Sequence, residues 1–395
     1  MKLSVPRPGQ SAPVATTDMS TNLNPGIDAY DELRQRLGER PEPTLRHDRP
    51  IWLFGAGKFA QDVYATLNSA RYNIRGFIET QPKLTELYGL PIRSWEQIEP
   101  EPEDQLVIAI HNRTAPLDQL ASLARAQGFI NITYPWDIHR QFPAQLGWRF
   151  WLSGPSTLLE GFERLKALHE RLADDESRRC LHRIVSFRLG LDDTYASFRH
   201  DLAQYFNPLT LPSQPDRPLH YIDGGAFDGD SLLQLAAHHP IAQAYLFEPD
   251  PANYLALCNR LRTSSFPVHC LPLGLMSNYQ VLSFAGGQGE GGSFNGTGNI
   301  HVACAALDDL LPNIAVDFIK LDVEGAEIPA LHGARRLIEK HRPTLAISLY
   351  HRPEDLWEIP AALDNISADF HLYIRQHYFN SFDSVLYATP ANSLS

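Results

Sequence analysis

Apolar runs separated by amphipathic segments recur along most of the chain, and this pattern predicts alternating strands and helices. In the first series, strands are predicted at residues 50–54, 72–79, 106–111 and 130–134, with helices ending near residue 70 and spanning 115–127. Strands that alternate with helices at this spacing are typical of a parallel sheet. The first series therefore predicts a small Rossmann-like unit over residues 49–140.

A second, longer series begins after a proline-rich stretch at residues 209–218. Its strands are predicted at 219–223, 244–248, 269–273, 281–284, 318–322 and 344–350, and its helices at 231–238, 251–261 and 328–340. The last two strands, near 370–376 and 384–388, are joined as a hairpin, so they must be antiparallel to each other. The fold class is therefore α/β, with two Rossmann-like units, the second a seven-stranded sheet with one antiparallel strand.

The remaining segments divide the chain into domains. Residues 1–48 are expected to be a disordered N-terminus and linker, rich in Pro, Ser and Thr up to about Gly26, with a short helix possible over Ile27–Gly38. Apolar residues at three-to-four spacing predict a helical connector over 141–218. The second α/β domain then spans 219–395. Within it, the glycine-rich stretch Gly286–Gly298 is expected to be a loop that either covers the site or forms an exposed hairpin tip.

A glycine-rich turn follows the first strand of the second domain, in the sequence YIDGGAFDGDS at Tyr221–Ser231. Gly225 and Gly229 allow the backbone of this turn to approach a ligand closely. Glu248 ends the next strand, 19 residues after Gly229. A glycine turn followed about 20 residues later by a strand-end acid is the nucleoside-binding arrangement of βαβ units, in which the acid binds the ribose hydroxyls.

The charges around this turn indicate which nucleoside binds. Asp223, Asp228 and Asp230 flank the glycines and would repel phosphates. They suit a ligand with an α-ammonium and a sulfonium, as in S-adenosylmethionine, whereas NAD fits poorly. Asp223 is therefore predicted to hold the methionine moiety together with Gly225 and Gly229. A parallel sheet with one antiparallel strand inserted also matches the seven-stranded methyltransferase core.

Two more residues are candidates for the adenosine side of the cofactor. Asp250 follows the ribose acid and could reach the adenosine, or it could only cap the helix that starts at Pro251. Ser277 follows the third strand, where an adenine would stack. It is either a hydrogen-bonding partner of the adenine or a plain turn serine.

Catalytic candidates lie at the ends of two later strands. In the sequence IKLDVEGAE, Asp322 and Glu324 project to the same side of an extended chain, and Glu327 falls in the first turn of the next helix. These carboxylates could position a substrate hydroxyl. No metal is expected, although Asp322 and Glu324 are weak candidates for a divalent ion, and metal dependence stays open. His351 ends the neighbouring strand and is predicted to be the general base, with Asp322 as the second catalytic residue.

The turn of the first unit has the pattern G-x-G-x-x-A. It contains Gly55, Gly57 and Lys58, and Glu79 follows 22 residues after Gly57 at a strand end. The basic side chain would tolerate a phosphate, so these four residues form a second candidate nucleotide site. Glycines at such turns also serve close helix–strand packing, so a degenerate module used for packing or dimerisation is the alternative.

Composition and charge narrow the class of partner. The 395-residue chain has a net charge of −12, which argues against nucleic acid as a partner. No apolar run reaches the length of a membrane span, and the N-terminus lacks the apolar region of a secretory signal. The four cysteines are far apart in sequence, which predicts reduced thiols in a cytoplasmic protein and disfavours a zinc site.

Several motifs of the second domain resemble those of the FkbM-type methyltransferases. They are YIDGGAFDGDS, YLFEPDP, LGLMS, ALDDLL, DFIKLDVEGAEIPALHGA, RPTLAISLYHRPEDLWEIP and YIRQHYFNSFDSVLYA. Ahead of them, DESRRCLHRIVSFRL resembles the lead-in helix of some members, so the resemblance covers about residues 174–388. The resemblance implies a seven-stranded S-adenosylmethionine-dependent fold and O-methylation of sugars, polyketides or other metabolites. It also implies that Asp223, Gly225 and Gly229 fall on the cofactor turn and Glu248 on the ribose acid. The turn departs from the family pattern at Phe227-Asp228, where many members have Asn and a small residue.

The predicted function is methyl transfer from S-adenosylmethionine to an oxygen of a sugar, polysaccharide or related polar metabolite. One alternative is an NAD- or nucleotide-sugar-dependent enzyme that works through the first Rossmann-like unit. Another is a regulatory protein that binds the nucleoside without turnover. The expected partner is a small-molecule or carbohydrate acceptor, and homo-oligomerisation is left open.

Overall fold

The computed structural model describes residues 25–41, 44–194, 199–211, 216–284 and 300–391. The predicted loop Gly286–Gly298 lies outside these residues. In the described part of the chain, no helix has the length and apolar character needed to cross a membrane.

The first unit is a six-stranded sheet whose order is β3-β4-β2-β1-β5-β6. Its elements are β1 Ile51–Phe54, α2 Lys58–Ser69, β2 Ile74–Ile78, β3 Glu86–Leu87, β4 Leu90–Arg93, β5 Gln105–Ile108, α3 Leu117–Ala126 and β6 Asn131–Thr133, preceded by helix α1 Ala29–Glu39. The apolar strands in the middle of the sheet were predicted from sequence. The short strands β3 and β4 were not, because the turn at Gly89 and the proline at Pro91 interrupt any apolar run.

Helix α4 Pro135–Gln141 ends the first unit, and the first part of the connector contains four helices. They are α5 Pro143–Leu146, α6 Pro155–Glu160, α7 Phe162–Arg171 and α8 Asp175–Arg188. The predicted helical character stops at α8, because Gly190 has φ +70° and reverses the chain. The described residues between Gly190 and Leu211 form no helix, and Tyr205 and Phe206 from this segment pack against the second sheet.

The second unit is a seven-stranded sheet whose order is β15-β16-β14-β13-β7-β8-β9. Its strands are β7 Leu219–Gly224, β8 Ile241–Phe247, β9 Val268–Leu271, β13 Phe318–Leu321, β14 Thr344–Ser348, β15 Phe370–Gln376 and β16 Ser384–Pro390. Its helices are α9 Asp230–Ala236, α10 Pro251–Leu261, α12 Glu327–Gly333, α13 Arg335–His341 and α14 Asp355–Asp364. Strand β16 lies between β14 and β15 and is antiparallel to both, whereas the other pairs are parallel. The predicted fold class is therefore confirmed.

Two details of this unit differ from the sequence prediction. The strand predicted at 281–284 belongs to a separate three-stranded sheet, formed by β10 Gly274–Leu275, β11 Gln280–Phe284 and β12 Ile300–Ala305, and helix α11 Leu307–Leu310 follows it. The single helix predicted at 328–340 is split into α12 and α13 at Ala334. Close packing accompanies the split, since a Cβ on Gly333 would lie 2.1 Å from the carbonyl oxygen of Met276.

The loop between β15 and β16 joins the two units. The side chain of Asn380 accepts a hydrogen bond from the backbone N–H of Leu117 and donates to the carbonyl oxygens of Asn112 and Ala115. These contacts hold the loop that follows β5 of the first sheet beside the carboxyl edge of the second sheet. The first unit therefore contributes to the surface above the second sheet, where its strands end.

Candidate active site

A cavity of about 500 Å³ opens at the carboxyl ends of β7, β8 and β13. The residues that line it come from the turn after β7, the end of β8, the segment around β10, the end of β13, the β15–β16 loop, the connector and the first unit. This is the edge at which doubly wound sheets bind their ligands.

The turn after β7 forms one wall of the cavity and requires glycine at two positions. Gly225 has φ +76°, and a Cβ there would lie 1.8 Å from the carbonyl oxygen of Asp322. Gly229 has φ +85° and begins helix α9. Phe227, between them, also has a positive φ of 49° and presents its backbone N–H to Glu248. The predicted glycines therefore shape the turn, and Gly225 lines the cavity.

Glu248 is the acid at the end of β8, and it also lines the cavity. One carboxylate oxygen accepts a hydrogen bond from the N–H of Phe227 at 2.8 Å, and the other accepts one from the N–H of Asp250 at 2.8 Å. Each carboxylate oxygen keeps a second lone pair, so both can also accept from ligand hydroxyls. Burial raises the pKa of Glu248 to about 7, since only 5% of the residue is exposed.

This raised pKa predicts that cofactor affinity depends on pH. The ionised carboxylate is the better acceptor for ribose hydroxyls, and its population rises as the pH increases through about 7. The affinity for S-adenosylhomocysteine should therefore increase between about pH 6 and 8 and level off above. Calorimetry across this range checks the expectation, with Glu248→Gln as the control whose affinity stays constant. A flat profile for the native chain, or an unchanged slope in the variant, would refute it.

Asp223 does not reach the cavity directly. Its side chain is 0% exposed and forms an ion pair with Lys320 at 2.8 Å, while Tyr221 donates a hydrogen bond to its other oxygen at 2.9 Å. Lys320 also donates to the carbonyl oxygen of Gly225 at 2.9 Å. Asp223 and Lys320 thus support the glycine turn from behind. This placement gives no direct contact between Asp223 and the methionine moiety.

The charges that face the cavity also differ from the sequence expectation. Asp228 is paired with Arg260, and Asp223 with Lys320, so cations offset two of the three predicted aspartates. Asp230 lines the cavity, as do the acids at the end of β13. The cavity is therefore lined by several carboxylates, as a cationic ligand requires, but most of them come from outside the glycine turn.

The two predicted adenosine-side residues lie outside the cavity lining. The carboxylate of Asp250 accepts hydrogen bonds from the N–H groups of Ala252 and Asn253 at 2.8 and 3.2 Å, so it caps helix α10. Ser277 is exposed in the turn after β10. Apolar side chains line the cavity where the adenine was expected. They belong to Phe247, Leu273, Leu275 and Phe284.

A cluster of carboxylates surrounds His351 where β13 and β14 end. The imidazole Nδ1 lies 2.8 Å from Oε1 of Glu327, and Nε2 lies 3.4 Å from Asp322 and 3.6 Å from Glu324. Two tyrosine hydroxyls also donate to Asp322, from Tyr205 at 3.0 Å and Tyr350 at 3.3 Å. Asp322 and Glu324 line the cavity, whereas Glu327 and His351 lie behind them.

The environment of His351 argues against the role of general base that the sequence suggested. Burial favours the neutral imidazole, but Glu327, Glu324 and Asp322 outweigh it and raise the pKa of His351 well above its usual value. The ring is 0% exposed and does not line the cavity. A ring that is enclosed by carboxylates and lies outside the cavity lining is not placed to accept a proton from a substrate.

The pKa of Asp322 shifts in the opposite direction. Burial favours the neutral acid, but His351 and Lys320 outweigh it and hold the pKa of Asp322 below its usual range. Asp322 is therefore an anion at the cavity wall. Burial also raises the pKa of Glu324 well above its usual value.

Several residues that line the cavity could not be identified as site residues from the sequence. Tyr205 comes from the connector, Arg113 from the loop after β5, and Asp383 from the β15–β16 loop. Gln204 donates to Asp383 at 2.9 Å, and burial raises the pKa of Asp383 to about 6. These side chains come from distant parts of the chain and meet only after folding, so no local spacing could reveal them.

The glycine turn of the first unit is closely packed. Gly55 has φ +110°, and a Cβ there would lie 2.7 Å from the side chain of Ile110, so this glycine serves close packing. Lys58 is paired with Asp62 on its own helix at 2.8 Å. A cleft of this unit is lined by residues outside the turn, namely Trp52, Arg75, Pro91, Arg93, Gln97, Ile98 and Glu99. Ligand binding by Gly55, Gly57, Lys58 and Glu79 stays a prediction.

The main cavity fits the chemistry of S-adenosylmethionine. Glu248 offers two acceptor oxygens for the ribose hydroxyls, and the apolar wall of Phe247, Leu273 and Leu275 suits a purine ring. Carboxylates such as Asp230 suit the positive ammonium and sulfonium groups.

Comparisons with known proteins agree with this chemistry. Residues 223–383 match the family model described as Methyltransferase FkbM domain. A crystal structure of the methyltransferase FkbM from Methylobacillus flagellatus KT matches with a TM-score of 0.72 and 23% identity, covering 92% of this chain and 97% of that one. This likeness shows that the fold is shared across both α/β units. No curated protein matches the chain.

Two other solved structures are less similar. The precorrin-6y C5,15-methyltransferase from Geobacter metallireducens GS-15 has a TM-score of 0.28 and 11% identity, over 44% of this chain and 79% of that one. A SAM-dependent methyltransferase from Aquifex aeolicus has a TM-score of 0.27 and 15% identity, over 44% of this chain and 83% of that one. From the family match and the sheet topology we conclude that this chain contains an FkbM methyltransferase domain and is an S-adenosylmethionine-dependent methyltransferase.

Proposed function

We propose that the chain methylates a hydroxyl oxygen of a sugar, polysaccharide or related polar metabolite. This proposal rests on the polar residues that line the cavity beyond the glycine turn. Asp322, Glu324, Asp383, Gln204, Arg113, Arg199 and Tyr378 line that part. Carboxylate, amide and guanidinium groups pair with hydroxyls, and an aromatic ring packs on the apolar face of a sugar. An apolar acceptor would remove water from these groups without offering them hydrogen bonds in exchange.

We propose that Asp322 binds the acceptor hydroxyl. Its carboxylate is anionic, lines the cavity and is held in place by the hydroxyls of Tyr205 and Tyr350. When bound, S-adenosylmethionine supplies a methyl group on a positively charged sulfur. The chain has to align the hydroxyl with that methyl group and accept the hydroxyl proton. His351 acts through Asp322, as a positioning residue behind it.

In this proposal, the first unit forms part of the cavity wall on the side that binds the acceptor. Arg113 follows β5 and lines the cavity, and its guanidinium lies 3.7 Å from Asp383 of the β15–β16 loop. The contacts of Asn380 fix this loop against the first unit. We therefore assign the first unit to acceptor recognition.

The test is transfer of an isotopically labelled methyl group. The chain is incubated with labelled S-adenosylmethionine and either cell extract or a panel of sugars, polysaccharides and nucleotide sugars, and products are identified by mass spectrometry. We expect the label in an O-methyl ether of a polyhydroxylated compound. Label found only on nitrogen, on sulfur or in apolar products would overturn the proposed acceptor class.

A further inference from the structure

Three buried polar atoms of the carboxylate cluster have no hydrogen bond. They are Nε2 of His351, Oε2 of Glu324 and Oε2 of Glu327, and the His351 residue is 0% exposed. Nε2 points at Asp322 and Glu324, at distances of 3.4 and 3.6 Å. Buried polar atoms without partners are rare in folded proteins, because each loses its hydration without compensation. The approach of Nε2 of His351 to Oε2 of Glu324 calls for an occupant between them.

The contact on the other side of the ring indicates the charge of that occupant. Nδ1 of His351 lies 2.8 Å from Oε1 of Glu327, so Nδ1 carries the proton and donates to this carboxylate. A neutral ring would then turn the lone pair of Nε2 towards two carboxylates. That arrangement is repulsive unless a positive charge stands between them. Either a second proton or a metal ion can provide it.

The two separations from Nε2 fit a metal ion. Ligand atoms that lie about 2.1 Å from a metal are about 3.0 Å apart at adjacent octahedral positions and about 3.4 Å apart in a tetrahedron. The separation of 3.4 Å from Asp322 equals the tetrahedral value, and that of 3.6 Å from Glu324 is slightly wider. A carboxylate on the second ring nitrogen is also the usual outer partner of a metal-binding histidine. Asp322, Glu327 and His351 do place ligand atoms within 4.8 Å of one another, but Glu327 faces the far nitrogen.

We propose that Asp322, Glu324 and His351 bind a divalent cation at the cavity wall, with Glu327 orienting the imidazole. The inference rests on the proposed function, since Asp322 and Glu324 also line the acceptor side of the cavity. An ion held there keeps coordination positions open towards the acceptor. It would bind the acceptor hydroxyl and make its proton easier to remove. Two carboxylates and one imidazole suit Mn²⁺ and related first-row ions.

The first test measures Mn²⁺ binding without donor or acceptor, so that it is independent of methyl transfer. Tag-free protein stripped with a chelator is titrated with Mn²⁺, and the free ion is followed by electron paramagnetic resonance. We expect one bound ion per chain. His351→Ala and Glu324→Gln should weaken binding at least 10-fold, and Glu327→Gln about 10- to 100-fold. The exposed His332→Ala is the matched control and should bind as the native chain does.

A second measurement uses the native chain, which keeps the proposal testable if the His351 variant does not fold. The ¹⁵N resonances of the imidazole of His351 are recorded before and after addition of Zn²⁺. A shift of Nε2 with Nδ1 still protonated is expected. Mn²⁺ binding weaker than about 1 mM together with an unchanged Nε2 resonance would overturn the metal site and identify the occupant as a proton. Methyl transfer at full rate in the presence of EDTA would overturn it as well, while leaving the proposed function intact.

Discussion

Replacing Glu248 with alanine is expected to lower the affinity for S-adenosylhomocysteine about 10²- to 10⁴-fold. We assign both ribose hydroxyls to this carboxylate, and a hydrogen bond to a charged acceptor contributes about 1.5–3 kcal/mol. The substitution also leaves the N–H groups of Phe227 and Asp250 without their partner, so the turn that lines the cavity loses support. Isothermal titration calorimetry measures the change directly.

Two further variants separate ligand binding from support of the turn. Glu248→Gln keeps the shape and one acceptor oxygen, so its loss of affinity should be smaller than that of the alanine variant. Glu339→Gln, on the exposed face of α13 and paired with Arg335, is the matched control and should bind normally. Thermal unfolding without ligand reports whether the fold is retained. Native affinity in a folded Glu248→Ala protein would show that the ribose is bound elsewhere.

Asp322→Asn is expected to reduce kcat about 10²- to 10⁴-fold, the range attributed to a general acid or base. Asparagine preserves the size of the side chain, and it can still pair with the hydroxyls of Tyr205 and Tyr350. It lacks the negative charge that accepts the hydroxyl proton. The affinity for S-adenosylhomocysteine should change only a few-fold. Rates are measured with the acceptor that the labelling experiment identifies.

The control for this variant is Asp309→Asn, an exposed aspartate paired with Arg336 and remote from the cavity lining. It should retain the native rate. A kcat within a few-fold of native in a folded Asp322→Asn protein would remove Asp322 from the reaction. The proton would then have to leave through another group of the cavity, of which Asp383 is the next carboxylate.

The main elements of both sheets could be predicted because their strands are continuous apolar runs. Buried parallel strands such as Ile51–Phe54 and Phe318–Leu321 are apolar or nearly so, and that pattern is visible without a structure. Short or half-exposed strands give no such signal. Strand β12, Ile300–Ala305, was missed because its apolar run is short and interrupted by the exposed His301.

The site divides in the same way between local and long-range features. The glycine turn and Glu248 follow from spacing within one βαβ unit, and both line the cavity. The pairing of Asp223 with Lys320 depends on the neighbour of β7 in the sheet, which sequence spacing does not specify. The protonation of His351 depends likewise on three carboxylates that converge only after folding.

A crystal structure of the chain soaked with S-adenosylhomocysteine tests the central claim most directly. We predict the nucleoside in the cavity between Gly225 and Glu248, with both ribose hydroxyls within hydrogen-bonding distance of the Glu248 carboxylate. The homocysteine sulfur should face Asp322. Density for the nucleoside at any other place, or a dinucleotide occupying this cavity in a competing soak with NAD, would contradict the account.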